Sequence, residues 1–382
     1  MTAVAVAPTE AIRERVLDAR SRRAPLRIAG RGLWLDAGRP VHATDTLSTR
    51  ELAGITQYVP GDLTITARAG TTLDEIRQAT AAHGQWLALD PFGSDDGTIG
   101  ATLATASAGP LSTFFGGPRD LALGVEFVTG DGVLARGGGR VVKNVAGFDL
   151  TRLMTGSWGT LAVVTEVALR LHARPEADET FAIGFEDAGG DVDRLSALLM
   201  RLPSTPFACE VVNDALARKL GGSEAAAIIR IGGNPESVRA QREAFAAFGG
   251  LADVDPSVWA ELRACEPAGS MVFRLSGPRA EIGLVWRDAI SIASACPGTL
   301  LHARPTRGIV RCIVPAGEAA AAAALRGAFT RAPSARRIGE RLPSDLWPVC
   351  SPPPAADRIS QGIKTRFDPA GILNSGIFGE LS

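Results

Sequence analysis

The stretch GRVVKNVAGFDLTRLMTGSWGTLAVVTEVALRL, residues 139–171, decides how this chain is read. Its tail, LAVVTEVALRL, sets Leu161, Val163, Val167, Leu169 and Leu171 on one side at period two and so predicts a strand. Just upstream, LALGVEFVTGDGVLARGG predicts a hairpin whose tight turn, Asp131-Gly132, needs positive φ. The glycine-rich middle, with Lys143, Asn144 and Asp149, has the spacing of neither a metal site nor a familiar phosphate loop.

Moving toward the N-terminus, residues 90–119 read DPFGSDDGTIGATLATASAGPLSTFFGGPR and are dominated by Gly, Ala, Ser and Thr. So much glycine argues against a stable helix, and so few β-branched residues against an ordinary core strand. A backbone this bare suits something bulky lying against it. Further back, residues 9–20 predict an amphipathic helix with Ile12, Val16 and Ala19 on one side. Ser48 with Glu51, and Thr72 with Glu75, have capping-box spacing, so helices are expected to begin near Thr49 and Leu73. Between them DLTITARAG alternates as a half-buried strand.

Toward the C-terminus the composition shifts after Arg174-Pro175. Residues 176–341 mix strands (AIIRIGG, MVFRLSG, GIVRCIVP) with helices, including an alanine-rich one at 318–329, and predict a separate α+β layer. No internal repeat is visible.

Composition excludes several classes. A chain of 382 residues, nearly half apolar, buries a large core and is expected to hold more than one domain. The formal net charge of −1 gives no basic field for nucleic acid. Five widely spaced cysteines without a CxxC indicate neither a disulfide framework nor an iron–sulfur or zinc site. The start, MTAVAVAPTEAIRERV, lacks a secretory pattern, and no run of eighteen apolar residues occurs, so the cytoplasm is the expected location. There is no GxSxG, and His42, His83, His172 and His302 are scattered with no HExxH. Gly30-Arg31-Gly32 follows the strand LRI and suits either an ordinary turn or a pyrophosphate cradle. Leu35 stands where a Rossmann loop has its third glycine. Arg274 and Arg307 lie in or beside apolar strands, where an arginine either clamps a substrate carboxylate or snorkels to water.

Taken together and in order, RIAGRG, AGTTLDEI, LDPFGSDDGTIGATLATASAGP, FGGPRD, LGVEFVTGDG, KNVAGFDLTRLMTGSWGTLAVVTEVALRL and FDPAGILNSG resemble the PCMH-type FAD-binding domain of the vanillyl-alcohol oxidase flavoprotein family. Along KNVAGFDL and FRLSGP the likeness is to the FAD-binding (GlcE-type) subunits of bacterial glycolate oxidases. The resemblance implies an α+β fold: a PCMH-type FAD-binding domain of two subdomains over residues 1–175, an inserted ferredoxin-like cap over 176–344, and a segment, 345–382, returning to the first domain. By matching position Gly30, Arg31, Gly32 and Leu33 would wrap the FAD pyrophosphate. Pro91, Thr98, Ile99, Gly100, Thr105, Ala106 and Gly109 would line its isoalloxazine and ribityl chain. Val163 and Val164 would offer backbone to the adenine half, and Asn374 would reach back to the flavin.

Relatives that attach FAD covalently have a histidine in the pyrophosphate loop; this chain has Leu33-Trp34, so the resemblance implies non-covalent FAD. Related catalytic subunits carry a His-rich metal site and GSEGTLG, where this chain keeps His302 alone and has GSWGTLA, with Trp158 in place of the acid. No metal is expected, and Arg274, His302 and Arg307 are the catalytic candidates. The implied partners are a sister FAD-binding subunit and an iron–sulfur subunit of glycolate oxidase, with the complex peripheral at the inner membrane and glycolate or a similar 2-hydroxy acid as substrate. A self-sufficient 2-hydroxy-acid dehydrogenase, an assembly subunit without cofactor, and oxidation of another alcohol or lactone stay open.

Overall fold

The computed structural model describes residues 8–139, 148–185, 188–316, 319–330, 335–352 and 357–379. The Lys143-Asn144 part of the KNVAGFDL motif lies outside them. The chain divides into two compact units. The first comprises Met1–Gly109, Gly116–Arg174 and Pro353–Ser382; the second comprises Pro110–Phe115 and Pro175–Pro352. The second unit thus ends at Pro352 rather than at residue 344, and it also takes a six-residue strap, Pro110–Phe115, from within the first.

In the first unit a five-stranded antiparallel sheet runs in the order Ile55–Val59, Thr64–Arg68, Ala162–Arg170, Ala122–Thr129, Leu134–Gly138. The last two strands form the expected hairpin, with Gly132 at φ +81°. Ala162–Arg170 is central, and all its residues but Glu166 and Arg170 are buried, on both sides, so the period-two pattern marks where the larger hydrocarbon goes rather than which side meets water. Ile65, Phe127, Val163 and Val167 pack there with Ile76, Leu103 and Leu373. A smaller parallel pair, Leu26–Ala29 with Asp45–Ser48, lies in the same unit.

The helix Leu73–Ala81 starts as its capping box dictates: the Glu75 amide donates to the Thr72 hydroxyl at 3.1 Å, and the Thr72 amide to the Glu75 carboxylate at 2.7 Å. The second box forms no helix. Ser48 ends a strand, the Thr49 amide donates to the Ala29 carbonyl, and the Ser48 hydroxyl donates to the Gly30 carbonyl at 2.9 Å, so the parallel neighbour takes the groups a helix needs. Conversely, the small-residue stretch does contain a helix, Ile99–Thr105. Its propensity is poor, and burial of Ile99 and Leu103 in the core supplies what propensity lacks. At the C-terminus buried Asp368 accepts from the Ile372 and Leu373 amides and pairs with Lys364 at 2.7 Å, fixing FDPAGILNSG in place.

Two βαββαβ motifs build the second unit. The first consists of Ala177–Gly184, a helix Ala188–Arg201, Ala208–Val212, Ala226–Gly233, a helix Pro235–Ala246 and Leu251–Asp253. The second consists of Met271–Ser276, a helix Ile282–Ala295, Leu300–Arg304, Ile309–Val314, a helix Ala319–Thr330 and Arg336–Arg341. Each has the ferredoxin-like strand order, and they join side by side through their second strands, Val211 opposite Ala303 and Val212 opposite His302, into one eight-stranded antiparallel sheet. The expected ferredoxin-like layer is therefore doubled. The repeat escapes the sequence because the motif is kept by hydrophobic period, not by residue identity. Cys209, Val211, Phe273, Leu275, Leu301, Ala303, Val310 and Cys312 face the helices with Trp286 and Phe245. Strand alternation then sends Glu210, Arg274, His302, Arg304 and Arg311 to the opposite side. No helix among the described residues is long and apolar enough to cross a membrane.

Candidate functional site

A cleft of about 1000 Å³, counted with its open mouth, lies within the first unit. Such a volume is at the upper end for a small-molecule site and suits an extended ligand. Its walls are the strand Leu26–Ala29 and the loop after it, the segment from Pro91 to Thr98, the helix Ile99–Thr105, the turn at Trp158-Gly159 and the strand carrying Ala162 and Val164.

The loop contributes backbone. Among the described residues nothing hydrogen-bonds the amides of Arg31, Gly32 or Leu33, and Gly32 has φ +81°. Arg27 reaches under this loop to the carbonyls of Leu35 at 3.2 Å and Ala37 at 3.4 Å. Burial lowers the Arg27 pKa, yet a guanidinium stays charged at any ordinary pH. Among the described lining residues the ionisable groups are Arg27 and Arg31; no carboxylate lines the cleft. Open amides beside two cations suit a diphosphate.

At Gly30 and Gly100 neighbours fill the Cβ position. A Cβ at Gly30 would overlap the Thr98 hydroxyl, and one at Gly100 would lie 2.6 Å from the Ala69 Cβ and 2.8 Å from its carbonyl oxygen. Asn374 and Trp158 both adopt positive φ, +44° and +53°. The Asn374 side chain accepts from the Ile28 amide at 2.8 Å and donates to the Trp158 carbonyl at 2.6 Å, while the Trp158 amide donates to Ala104. A tryptophan in that region is strained, and these bonds hold it.

Of the residues expected to meet the cofactor, Gly30, Arg31, Gly32, Leu33, Pro91, Thr98, Gly100, Thr105, Val164 and Asn374 line the cleft. The side chains of Ile99 and Val163 are in the core; of Val163 only a backbone contact is expected. Ala106 caps the helix in the left-handed region, and Gly109 is pressed against Asp90. Asn374 lines the wall with both ends of its amide already taken by backbone. Sequence reading missed Arg27, Trp34, Ser107 and Ala162. Of these only Ser107 lies in the stretch whose composition drew notice; Arg27 and Ala162 lie in segments read as strands, and Trp34 follows the glycine loop.

The catalytic candidates are in the second unit: Arg274 and His302 each face a carboxylate, and Arg307 bonds a backbone carbonyl. His302 Nδ1 lies 2.9 Å from Glu210 Oε2, and Arg304 Nε donates to Glu210 Oε1 at 2.7 Å. All three are buried. Burial by itself would raise the Glu210 pKa, but the charge of Arg304 and hydrogen bonds from His302 and Arg304 outweigh it and leave the carboxyl below its usual range. Arg304 Nη1 also donates to the Ser112 hydroxyl at 2.8 Å, and Arg307 Nη2 to the Ser112 carbonyl at 2.5 Å. Arg274 pairs with Glu340 at 2.5 Å, and Glu340 also takes Arg311. Glu266 bridges Arg311 at 2.5 Å and Arg341 at 3.0 Å. None of Glu210, Glu266 or Glu340 stood out in the sequence. Among the described residues no group of three or more His, Cys, Asp or Glu gathers as a metal ion would need.

Comparison with known proteins agrees with the geometry. Residues 2–138 match the family model described as an FAD binding domain. The glycolate oxidase subunit GlcE of Escherichia coli is 43% identical over 44% of this chain and 48% of its own length. The glycolate oxidase subunit GlcD of Bacillus subtilis is 34% identical over 46% and 38%, and a D-lactate dehydrogenase of Archaeoglobus fulgidus 32% over 43% and 38%. The matches therefore span less than half the length of these relatives. Among solved structures, 4-ethylphenol oxidase from Gulosibacter chungangensis superposes with TM-score 0.72 over 97% of this chain and 87% of its own, at 15% identity. An alkyldihydroxyacetonephosphate synthase gives 0.68 over 96% and 74%, at 18%. The fold is the PCMH-type FAD-binding fold, and the first unit carries an FAD-binding domain.

Proposed function

We propose that this chain is the FAD-binding subunit of a glycolate oxidase, an oxidoreductase that converts a 2-hydroxy acid to the 2-oxo acid and passes the electrons onward. The observation that carries the reading is the cleft: unbonded amides at Arg31–Leu33 and two arginines, with no carboxylate to repel a diphosphate. The relatives named above, two glycolate oxidase subunits and a D-lactate dehydrogenase, support the substrate class.

Bound FAD supplies the two-electron acceptance that alcohol oxidation requires. The chain's own residues bind and orient it. The loop amides and Arg31 would hold the diphosphate, Arg27 braces the loop through the Leu35 and Ala37 carbonyls, and the helix Ile99–Thr105 would offer its small-residue surface to the rest of the cofactor. Asn374 ties the Trp158 turn, part of the cleft wall, to the strand Leu26–Ala29. The lining residues Leu33 and Trp34 offer no attachment point, so FAD is held non-covalently and acid precipitation should release it to the supernatant. Catalytic work requires a base for the hydroxyl proton. The described lining residues contain none, so in this reading the substrate meets a sister flavin subunit, and an iron–sulfur subunit carries electrons away. The complex would sit in the cytoplasm, at the membrane surface.

An anaerobic visible spectrum of the purified chain, before and after glycolate, tests this. Flavin bands that persist are expected. Bands that bleach would show that the chain oxidises substrate alone, which the buried Glu210–His302 pair favours, since a carboxylate at Nδ1 orients an imidazole to accept a proton at Nε2. No bands after reconstitution with FAD would sink both readings.

A further inference from the structure

The cleft contains one hydroxyl whose situation differs from all its neighbours. Along the helix Ile99–Thr105 each threonine side chain is engaged by the helix itself. Thr98 Oγ1 accepts from the Ala101 amide at 3.3 Å, Thr102 Oγ1 donates to the Thr98 carbonyl at 3.0 Å, and Thr105 Oγ1 donates to the Ala101 carbonyl at 2.8 Å. This back-bonding to the fourth carbonyl before is the usual resting place of a helical hydroxyl. Ser107 cannot do the same. Ala106 takes the left-handed conformation, φ +52°, and turns the chain out of the helix, while the Leu103 carbonyl is occupied by the Ala106 and Gly156 amides. The Ser107 Oγ is consequently buried from solvent with no hydrogen-bond partner among the described residues, and Ser107 lines the cleft.

A buried hydroxyl left unbonded destabilises a protein, so such a group in a binding cleft points to a ligand that satisfies it. The diphosphate cradle is near the other end of the helix, where Gly30 abuts Thr98. Seven residues of helix separate the two, roughly 10 Å at 1.5 Å per residue. FAD has polar groups at that remove from its diphosphate. We propose that Ser107 is a cofactor-binding residue, its hydroxyl hydrogen-bonded to a polar group of FAD away from the diphosphate. The inference rests on the FAD site described above.

The test uses the full chain stripped of FAD, with the wild type and Ser107→Ala compared in two measurements. One is FAD affinity, read by quenching of the fluorescence of Trp34 and Trp158, which line the cleft. The other is the melting temperature without FAD. Loss of one hydrogen bond to the cofactor predicts about ten-fold weaker FAD binding. The cofactor-free melting temperature should stay level or rise, because alanine removes an unsatisfied group. Ser107→Cys, nearly the same size but a poor donor, should weaken FAD almost as much and so separates hydrogen bonding from shape. Affinity unchanged within two-fold in Ser107→Ala overturns the inference, as does a lower melting temperature without FAD, which would place the hydroxyl's partner inside the protein. Failure of the wild type itself to take up FAD would overturn the FAD site as a whole, a result distinguishable from either.

Discussion

The cleft of the first unit and the polar sheet face of the second are both rich in hydrogen-bonding groups, yet they treat those groups in opposite ways. In the cleft the amides of Arg31, Gly32 and Leu33 and the hydroxyl of Ser107 have no partner among the described residues, and the ionisable side chains among the described lining residues are of one sign. On the sheet face Glu210, Glu266 and Glu340 each take two cationic or imidazole partners, so charge is balanced from within. Open donors beside charges of one sign describe a site waiting for a complement; buried carboxylates each met by two partners describe a structural joint. The joint has an evident task, since Glu210 is on one βαββαβ motif and His302 and Arg304 on the other, where the ladder is only two pairs long.

The comparison breaks most visibly at Glu210. Glu210→Gln leaves the Arg304 charge buried without a counter-ion, and should destabilise the second unit by about 3–5 kcal/mol in urea or thermal unfolding. Its pH dependence sharpens the point. The folded pKa lies below the unfolded value near 4.5, so the stabilisation is present above that pH and is lost as pH falls through the folded pKa. The variant's stability should therefore fall less steeply on acidification than that of the wild type. An identical acid profile would show that the joint is not held by this charge.

On the open side, Gly100→Ala drives a methyl against the Ala69 backbone, an overpacking of about 1–3 kcal/mol, and should lower both melting temperature and FAD affinity. Asn374→Ala removes two side-chain bonds to backbone and should destabilise by about 1–2 kcal/mol. Asn374→Asp restores only the acceptor half. Asn374 is the intermediate case, a cleft residue that behaves like the joint. The smallest expected effect is none. Burial pushes the Cys265 thiol up to about 11 and Cys350 to about 12, and all five cysteines are buried, so the folded chain should resist a thiol reagent at pH 8. Prompt modification of any of them would show that the second unit opens more readily than its packing implies.

By itself the sequence settled whatever depends on local period and on residues that admit one conformation. The strand Ala162–Arg170, the hairpin at Gly132, the Thr72 cap and the glycines around the cleft were all legible, because each follows from side-chain alternation, a turn's φ or a hydrogen bond spanning three residues. A bulky ligand was legible too, from a backbone stripped of side chains. What depends on partners distant in the chain was not. Ser48 has the same capping spacing as Thr72, but a parallel strand claimed its neighbours' backbone. The helix Ile99–Thr105 exists because the core accepts Ile99 and Leu103, against its own propensity. Arg27 joins the cleft although it lies 79 residues earlier than Ala106 and its turn toward Ser107. The pairing of Glu210 with His302 and Arg304 spans more than ninety residues. Only tertiary structure could bring those charges together, since two half-sheets must meet before a buried carboxylate can find the cations that keep it ionised.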